Sequence, residues 1–298
     1  MKKYLFLLLL ILPAGFVSAQ NNFLLYSFKG NVNVVENATE SKAKVGKPLA
    51  ATATLKVGPS SAVTLICNEA AMFTISKPGT YKLSAFGDSC KVNSSSLTSN
   101  YIKYVWAQMT KSGGSSGSNR KAYMNTVGAV SRGVNNIWVD PRLDTVNYAM
   151  GDIPLSWKSY SDAKEFDFML FNSSNIVEPF YTTSVNKLKV QVSAIASRLK
   201  PGESYYWTAA VKGEENEERK VLNVVPKETF NAMVEAFRKQ GSAFEAPAEQ
   251  AYRIAFMLED AHYLAEAYDY YTKATTYDPG NALYRNTLMS FKKDYEIK

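Results

Sequence analysis

Pro247 to Asn281 reads PAEQAYRIAFMLEDAHYLAEAYDYYTKATTYDPGN, and its apolar spacing decides how the end of the chain folds. Ile254, Leu258, Leu264, Ala267, Tyr271 and Ala274 recur at helical intervals in two segments that meet near Glu259 and Asp260. Small residues fall where two antiparallel helices must approach closely, and Asp278-Pro279-Gly280 stops the second segment. The stretch is predicted to be a helical hairpin. Upstream, Lys227 to Gln240 carries Phe230, Met233, Val234 and Phe237 on one face and ends at Gly241. Downstream, Ala282 to Tyr295 places Leu283, Leu288 and Phe291 where a closing helix needs them.

The hairpin resembles a tetratricopeptide repeat. Ala255, Leu258, Ala267, Tyr271, Ala274 and Pro279 stand at that family's small, large, small, aromatic, small and proline positions, over one repeat of about 34 residues. Ala251 replaces the usual aromatic and His262 the usual small residue. The resemblance implies binding of a peptide or protein rather than chemistry. A single repeat falls below the ~3 needed for independent stability, so these helices must lean on the neighbouring chain or on a partner that completes the array. Tyr252, Tyr263, Tyr268, Tyr270, Tyr277 and Tyr284 supply more aromatic surface than one hairpin core absorbs, and tyrosine is enriched at interfaces. They are the candidate partner-binding residues, with a groove covered by the chain's own neighbour as the alternative.

The chain starts as an export signal would: Lys2 and Lys3, an apolar run from Leu5 to Leu12, and Val17-Ser18-Ala19 as a small-residue cleavage site. The run is too short to span a membrane as a helix, and no cysteine follows the cleavage site to take a lipid. Residues 1–19 are therefore expected to be a signal peptide and the rest to work outside the cytoplasm, in a bacterial periplasm or cell envelope. The formal charge of +7 falls to +5 once Lys2 and Lys3 are removed, and the excess is spread along the chain. With no basic cluster interleaved with aromatics, nucleic acid is not an expected partner. Cys67 and Cys90 are the only cysteines; in an oxidising compartment they are expected to pair, contributing about 3 kcal/mol.

From Phe23 to about Leu83 short strands alternate with turns at Gly30, Gly46-Lys-Pro48, Gly58-Pro59-Ser60 and Lys77-Pro-Gly79. This predicts a small β-sandwich or barrel. The order Gly30-Asn-Val-Asn-Val, Gly46-Lys-Pro-Leu49 and Leu55-Lys-Val-Gly-Pro-Ser-Ser-Ala-Val-Thr-Leu65 resembles the extracytoplasmic β domain of FecR-type proteins, which implies signalling or envelope contacts. A helix follows at Leu97 to Met109, with Tyr101, Tyr104, Val105 and Met109 on one face, either a docking strip or packing for the β domain. Residues 20–110 form this first unit. Lys111-Ser-Gly-Gly-Ser-Ser-Gly-Ser-Asn119 then reads as a flexible linker, continuing as connecting chain to residue 140.

Residues 141–225 show a second set of strand patterns, from Ile153-Pro-Leu-Ser-Trp157 to Val221-Leu-Asn-Val-Val225. Leu199-Lys-Pro-Gly-Glu-Ser-Tyr205 resembles the tyrosine corner of fibronectin type III and related immunoglobulin-like sandwiches, which implies that the Tyr205 hydroxyl satisfies nearby backbone. Trp157, Tyr205 and Trp207 are expected in the core, although exposed tryptophans would make a sugar-stacking platform. Residues 226–298 complete the chain as the tetratricopeptide-like helical tail. The fold class is thus multidomain β plus α.

No nucleophile elbow, phosphate-cradling loop, HExxH or cysteine ligand cluster is present, and His262 is the single histidine. The acidic run Glu214 to Glu218 lacks the spacing of a calcium loop. Asn37, Asn93 and Asn172 open glycosylation sequons that matter only in a glycosylating host. The expectation is a non-catalytic exported adaptor that needs no cofactor and binds an envelope protein or peptide. The alternatives are a carbohydrate- or peptidoglycan-binding module, which needs Trp157 and Trp207 exposed, and a hydrolase, which needs two carboxylates facing one cleft.

Overall fold

The computed structural model describes residues 22–91, 97–110 and 136–297. The expected signal segment, the Gly/Ser run at 111–119 and the Asn93 sequon lie outside them. The described chain is mixed β plus α, with sheets in its N-terminal part and helices at its C-terminus.

The first eight strands are β1 (Asn22–Lys29), β2 (Val32–Glu36), β3 (Thr39–Lys42), β4 (Pro48–Ala50), β5 (Thr54–Val57), β6 (Ala62–Cys67), β7 (Ala71–Ile75) and β8 (Gly79–Lys82). They form two antiparallel four-stranded sheets, ordered β4-β1-β6-β7 and β3-β2-β5-β8. Alternate residues close a core between them: Phe23, Leu25, Val63 and Leu65 from one sheet meet Val32, Val34, Leu55 and Val57 from the other. The opposite face of β1 and β6 is buried too, because Leu24, Tyr26 and Ile66 pack into a second and larger core. This double burial explains why β6 reads as an uninterrupted run, AVTLIC, with every residue buried. The β1–β6 register slips between Leu25 and Ser27, a bulge that leaves Tyr26 as the extra residue. Cys67 and Cys90 form a disulfide that ties the end of β6 to the 3-10 segment Leu83–Cys90.

Helix α1 (Leu97–Thr110) is followed by β9 (Ile137–Trp138), β10 (Thr145–Tyr148), β11 (Pro154–Ser156), β12 (Lys158–Ser159), β13 (Phe166–Asn172), β14 (Tyr181–Val185), β15 (Lys189–Gln191), the single turn α2 (Val192–Ile195), β16 (Ser204–Val211) and β17 (Lys220–Val224). A five-stranded sheet runs β10-β17-β16-β13-β14, with β10 parallel to β17 and the other neighbours antiparallel. Two short pairs, β11-β15 and β12-β9, complete this part. Its interior is a stack of rings: Trp157 lies 6.3 Å from Phe168, and Phe168 lies 5.8 Å from Trp207. The Tyr205 hydroxyl accepts from the Lys200 backbone N–H at 2.9 Å and donates to Glu203 at 2.8 Å.

Four helices finish the chain: α3 (Lys227–Lys239), α4 (Pro247–Asp260), α5 (Leu264–Tyr277) and α6 (Ala282–Asp294). Pro247 occupies the first turn of α4, where its missing N–H costs nothing. The turn into α5 closes with the His262 N–H on the Glu259 carbonyl and the Tyr263 N–H on the Leu258 carbonyl, while His262 takes φ +61°. That is the left-handed helix stop usually given to glycine. One continuous core runs through α1, the second set of strands and α3–α6, and takes in Leu24, Tyr26 and Ile66 of the first sheet, so the tail helices lean on the neighbouring chain. Replacing both Cys67 and Cys90 with serine is expected to cost about 3 kcal/mol, read as a lower Tm that a reductant reproduces in the unmodified chain.

Candidate partner-binding surface

Helix α4 sits at the centre of the large core, with α1, α3 and α5 packed around it. From Ala251 to Asp260 every residue is buried. Helix α1 closes one side: the Tyr101 and Tyr104 rings lie 5.5 and 5.2 Å from Phe256, and Tyr101 also meets Tyr252 at 6.2 Å. The Tyr26 and Tyr101 hydroxyls share a 2.5 Å hydrogen bond that joins β1 to α1. Buried Thr287 of α6 bonds the hydroxyls of both Tyr104 (3.0 Å) and Tyr252 (2.9 Å). The aromatic face of α1 is therefore spent on the helical tail, and the chain supplies its own cover for the hairpin.

This packing redistributes the six tail tyrosines. Tyr252, Tyr263 and Tyr284 are core residues: Tyr252 lies between Tyr271 (5.7 Å) and Tyr284 (4.7 Å), and Tyr263 packs on Phe230 at 5.5 Å. They present no surface to a partner, because the hairpin alone could not absorb them but the added helices can. Tyr268 is half-buried, stacked on Phe291 at 6.3 Å. Tyr270 is likewise half-buried against the large core, and of the six Tyr277 alone is exposed, at 59%. With Lys273, whose ammonium lies 4.4 Å from the Tyr270 ring centre, they fall at i, i+3 and i+7 on α5. Arg238 of α3 donates to the Tyr270 hydroxyl, so the strip crosses two helices and mixes aromatic surface with cations.

Trp157 and Trp207 are fully buried and offer no sugar-stacking platform. Two carboxylates do share one cleft, of about 320 Å³, between the ends of β1 and β6 and the α3–α4 loop. Glu245 is engaged by Arg253 through two 2.7 Å hydrogen bonds, while Arg253 also donates to the Phe237 carbonyl at 2.8 Å. Glu249, at the third position of α4, bonds the Ser27 side chain and the Ala246 backbone and so closes the helix start from within. Both acids hold elements together while lining that cleft. No group of three or more histidines, cysteines or acids fit for a metal occurs among the described residues, and no helix there is long and apolar enough to cross a membrane.

The remaining buried charges are joints that the residue patterns did not reveal. Glu266 accepts the backbone N–H groups of Ala149 (2.6 Å) and Met150 (2.8 Å), and Asn147 donates to the carbonyls of Ala261 (2.9 Å) and His262 (3.0 Å). These bonds clamp the β10–β11 connection onto the α4–α5 turn. Arg142 pairs with Asp140, reaches Asp294 of α6 at 3.6 Å and covers the Tyr295 ring. Glu259 accepts from Tyr271 (2.9 Å) and Tyr295 (3.1 Å). The one signal available in sequence is a set of charges, Glu249, Arg253, Glu259 and Asp260, within a helix whose remaining residues are mostly apolar.

In comparison with known proteins, no family model and no curated protein matches the chain.

Burial raises the carboxyl of Glu249 to about 7, with Glu245 adding repulsion, and burial likewise raises Glu266 to about 7 against the pull of its backbone donors. Both acids bind a proton more tightly folded than unfolded, so their contribution is fully present below the unfolded value near 4.5 and is lost as pH rises through about 7. Stability is expected to fall between pH 5 and 8, by on the order of 1–3 kcal/mol for each acid. Denaturant titrations of Glu249→Gln and Glu266→Gln should each flatten that slope; an unchanged slope in both would refute the assignment.

Proposed function

We propose that this chain is an exported, non-catalytic adaptor of the bacterial envelope that docks a protein partner on the outer face of its helical tail. In this reading the first sandwich is a FecR-like β domain, the second an immunoglobulin-like sandwich, and α4–α5 a tetratricopeptide-like hairpin. Support for the second comes from the strand order β10-β17-β16-β13-β14 and the Tyr205 bond to the Lys200 N–H. The hairpin is supported by its antiparallel packing and by the neighbours that α1 and α6 provide, which a lone repeat requires.

The observation that carries the docking role is the sorting of the tyrosines. Three are spent in the core and Tyr268 and Tyr270 are half-buried against it, while Tyr277 stays exposed on the same face as Lys273, with Arg238 near Tyr270. An exposed tyrosine flanked by cations suits a partner surface that is apolar and acidic, because tyrosine and arginine dominate binding hot spots. The shared core holds that face on a rigid support, which lowers the ordering cost of binding.

The double variant Lys273→Ala/Tyr277→Ala, at two exposed positions, is expected to lose capture of the envelope partner by tenfold or more, on the order of 1.4 kcal/mol, with unchanged circular dichroism and Tm. Tyr252→Ala or Tyr284→Ala should instead destabilise the fold by about 3–5 kcal/mol. The measurement is an affinity pulldown from a native envelope fraction, followed by mass spectrometry. Retention of the same partner by the double variant would overturn the docking site, and recovery of cell-wall glycan alone would move the function to the β modules.

A further inference from the structure

An exposed sheet edge offers a row of unpaired N–H and C=O groups to any extended chain, and folded proteins guard such edges with charge, proline, short length or a covering element. Most edges here carry a guard. Strand β3 bears Glu40 and Lys42, β4 is three residues beginning at Pro48, and β8 begins at Gly79 after Pro78 and ends at Lys82. Strand β7 lies against α1, β10 is covered by α5 and its preceding turn, and the strands of the short pairs are two or three residues long.

Strand β14 differs. Tyr181-Thr-Thr-Ser-Val185 ends the five-stranded sheet, pairs only with β13 in unbroken register, and contains no charge, proline or glycine. Its flanks carry exposed apolar groups, Ile176 at 52%, Val177 at 79% and Phe180 at 40% before it, with Glu178 and Pro179 among them, and Leu188 at 37% after it, beside Lys187. Beyond its far end lies a cleft of about 400 Å³ lined by Glu165, Ser184, Val185, Asn186, Lys187 and Lys189. Glu165 is taken by Lys212 at 2.6 Å, and Lys189 donates to the Glu296 carbonyl at 2.7 Å. Neither Lys187 nor Glu178, at the near end, has an ionic partner among the described residues.

We propose that β14 is a homodimer edge: two copies pair it antiparallel about a two-fold axis through Thr183, continuing the sheet from one copy into the next. In this register Thr182 faces Ser184 of the second copy and Tyr181 faces Val185, a hydroxyl pair and an aromatic–β-branched pair of the kinds that stabilise antiparallel ladders. Glu178 comes opposite Leu188, between Lys187 and Lys189 at the mouth of the other copy's cleft. Each copy brings both the acid and the lysines that receive it, as an isologous contact demands. The exposed apolar groups at the two ends of the strand then cover each other.

The full mature chain supports a direct test. Light scattering across a micromolar dilution series is expected to give a concentration-dependent dimer. Because Cys67 and Cys90 are bonded to each other, a cysteine introduced as Thr183→Cys would stand on the axis against its own copy and should oxidise to a covalent dimer. Thr182→Lys/Ser184→Lys, two solvent-facing positions, should weaken dimerisation by about tenfold or more with unchanged Tm. Glu178→Lys should weaken it as well, and adding Lys187→Glu should restore part of the loss. A monomer at every concentration, no cross-link from Thr183→Cys, or dimerisation by the double-lysine variant equal to that of the unmodified chain would each overturn the proposal.

Discussion

A helix that carries Glu249, Arg253, Glu259 and Asp260 can be buried on all sides only if the surrounding fold answers its charges, because an ion left unpaired in the interior costs several kcal/mol. Helix α4 is in that position, and the architecture follows from how it is answered. Arg253 requires Glu245 and the end of α3, Glu249 requires Ser27 at the end of β1, and Glu259 requires Tyr271 of α5 and Tyr295 beyond α6. Each partner belongs to a different element. The polar contacts of one helix therefore bring the first sandwich and the other tail helices to defined positions around it.

The apolar contacts act with them. Tyr101 and Tyr104 of α1 fill one side of α4, and buried Thr287 joins α1, α4 and α6 through two hydroxyls. Removing any of these groups would leave both a cavity and an unsatisfied polar atom, so such contacts are coupled rather than additive. The clamp of Glu266 and Asn147 extends the same logic to the second set of strands: the Glu266 carboxylate accepts two backbone N–H groups of the connection, and Asn147, through its side-chain amide and its own N–H, donates to two carbonyls of the helix turn. The clamp fixes the start of α5 against the β10–β11 connection.

The same economy bears on function. Acids that might have suggested chemistry are engaged: Glu245 by an arginine, Glu249 by a helix start, Glu259 by two phenols and Glu266 by two backbone donors. The tryptophans that might have stacked a sugar fill a core. What remains outward is surface chemistry: Tyr277 and Lys273 on the tail and the β14 edge of the five-stranded sheet.

Local pattern was enough for the elements themselves. Helical spacing from Lys227 to Tyr295, strand alternation on either side of α1, and the turn that sets Tyr205 against the Lys200 N–H were all legible, because periodicity and turn chemistry are properties of neighbours in sequence. The pairing of Cys67 with Cys90 was legible from their number. Tertiary structure alone decided which aromatic surfaces stay free. Tyr252, Tyr263 and Tyr284 belong to the core only because α1, α3 and α6 reach them, and no spacing within Pro247–Asn281 encodes a helix that lies about 150 residues earlier. The joints made by Glu266, Arg142 and Asn147 were invisible for the same reason, since a buried charge is satisfied by whatever the fold brings beside it, and that is fixed by long-range packing rather than by local sequence.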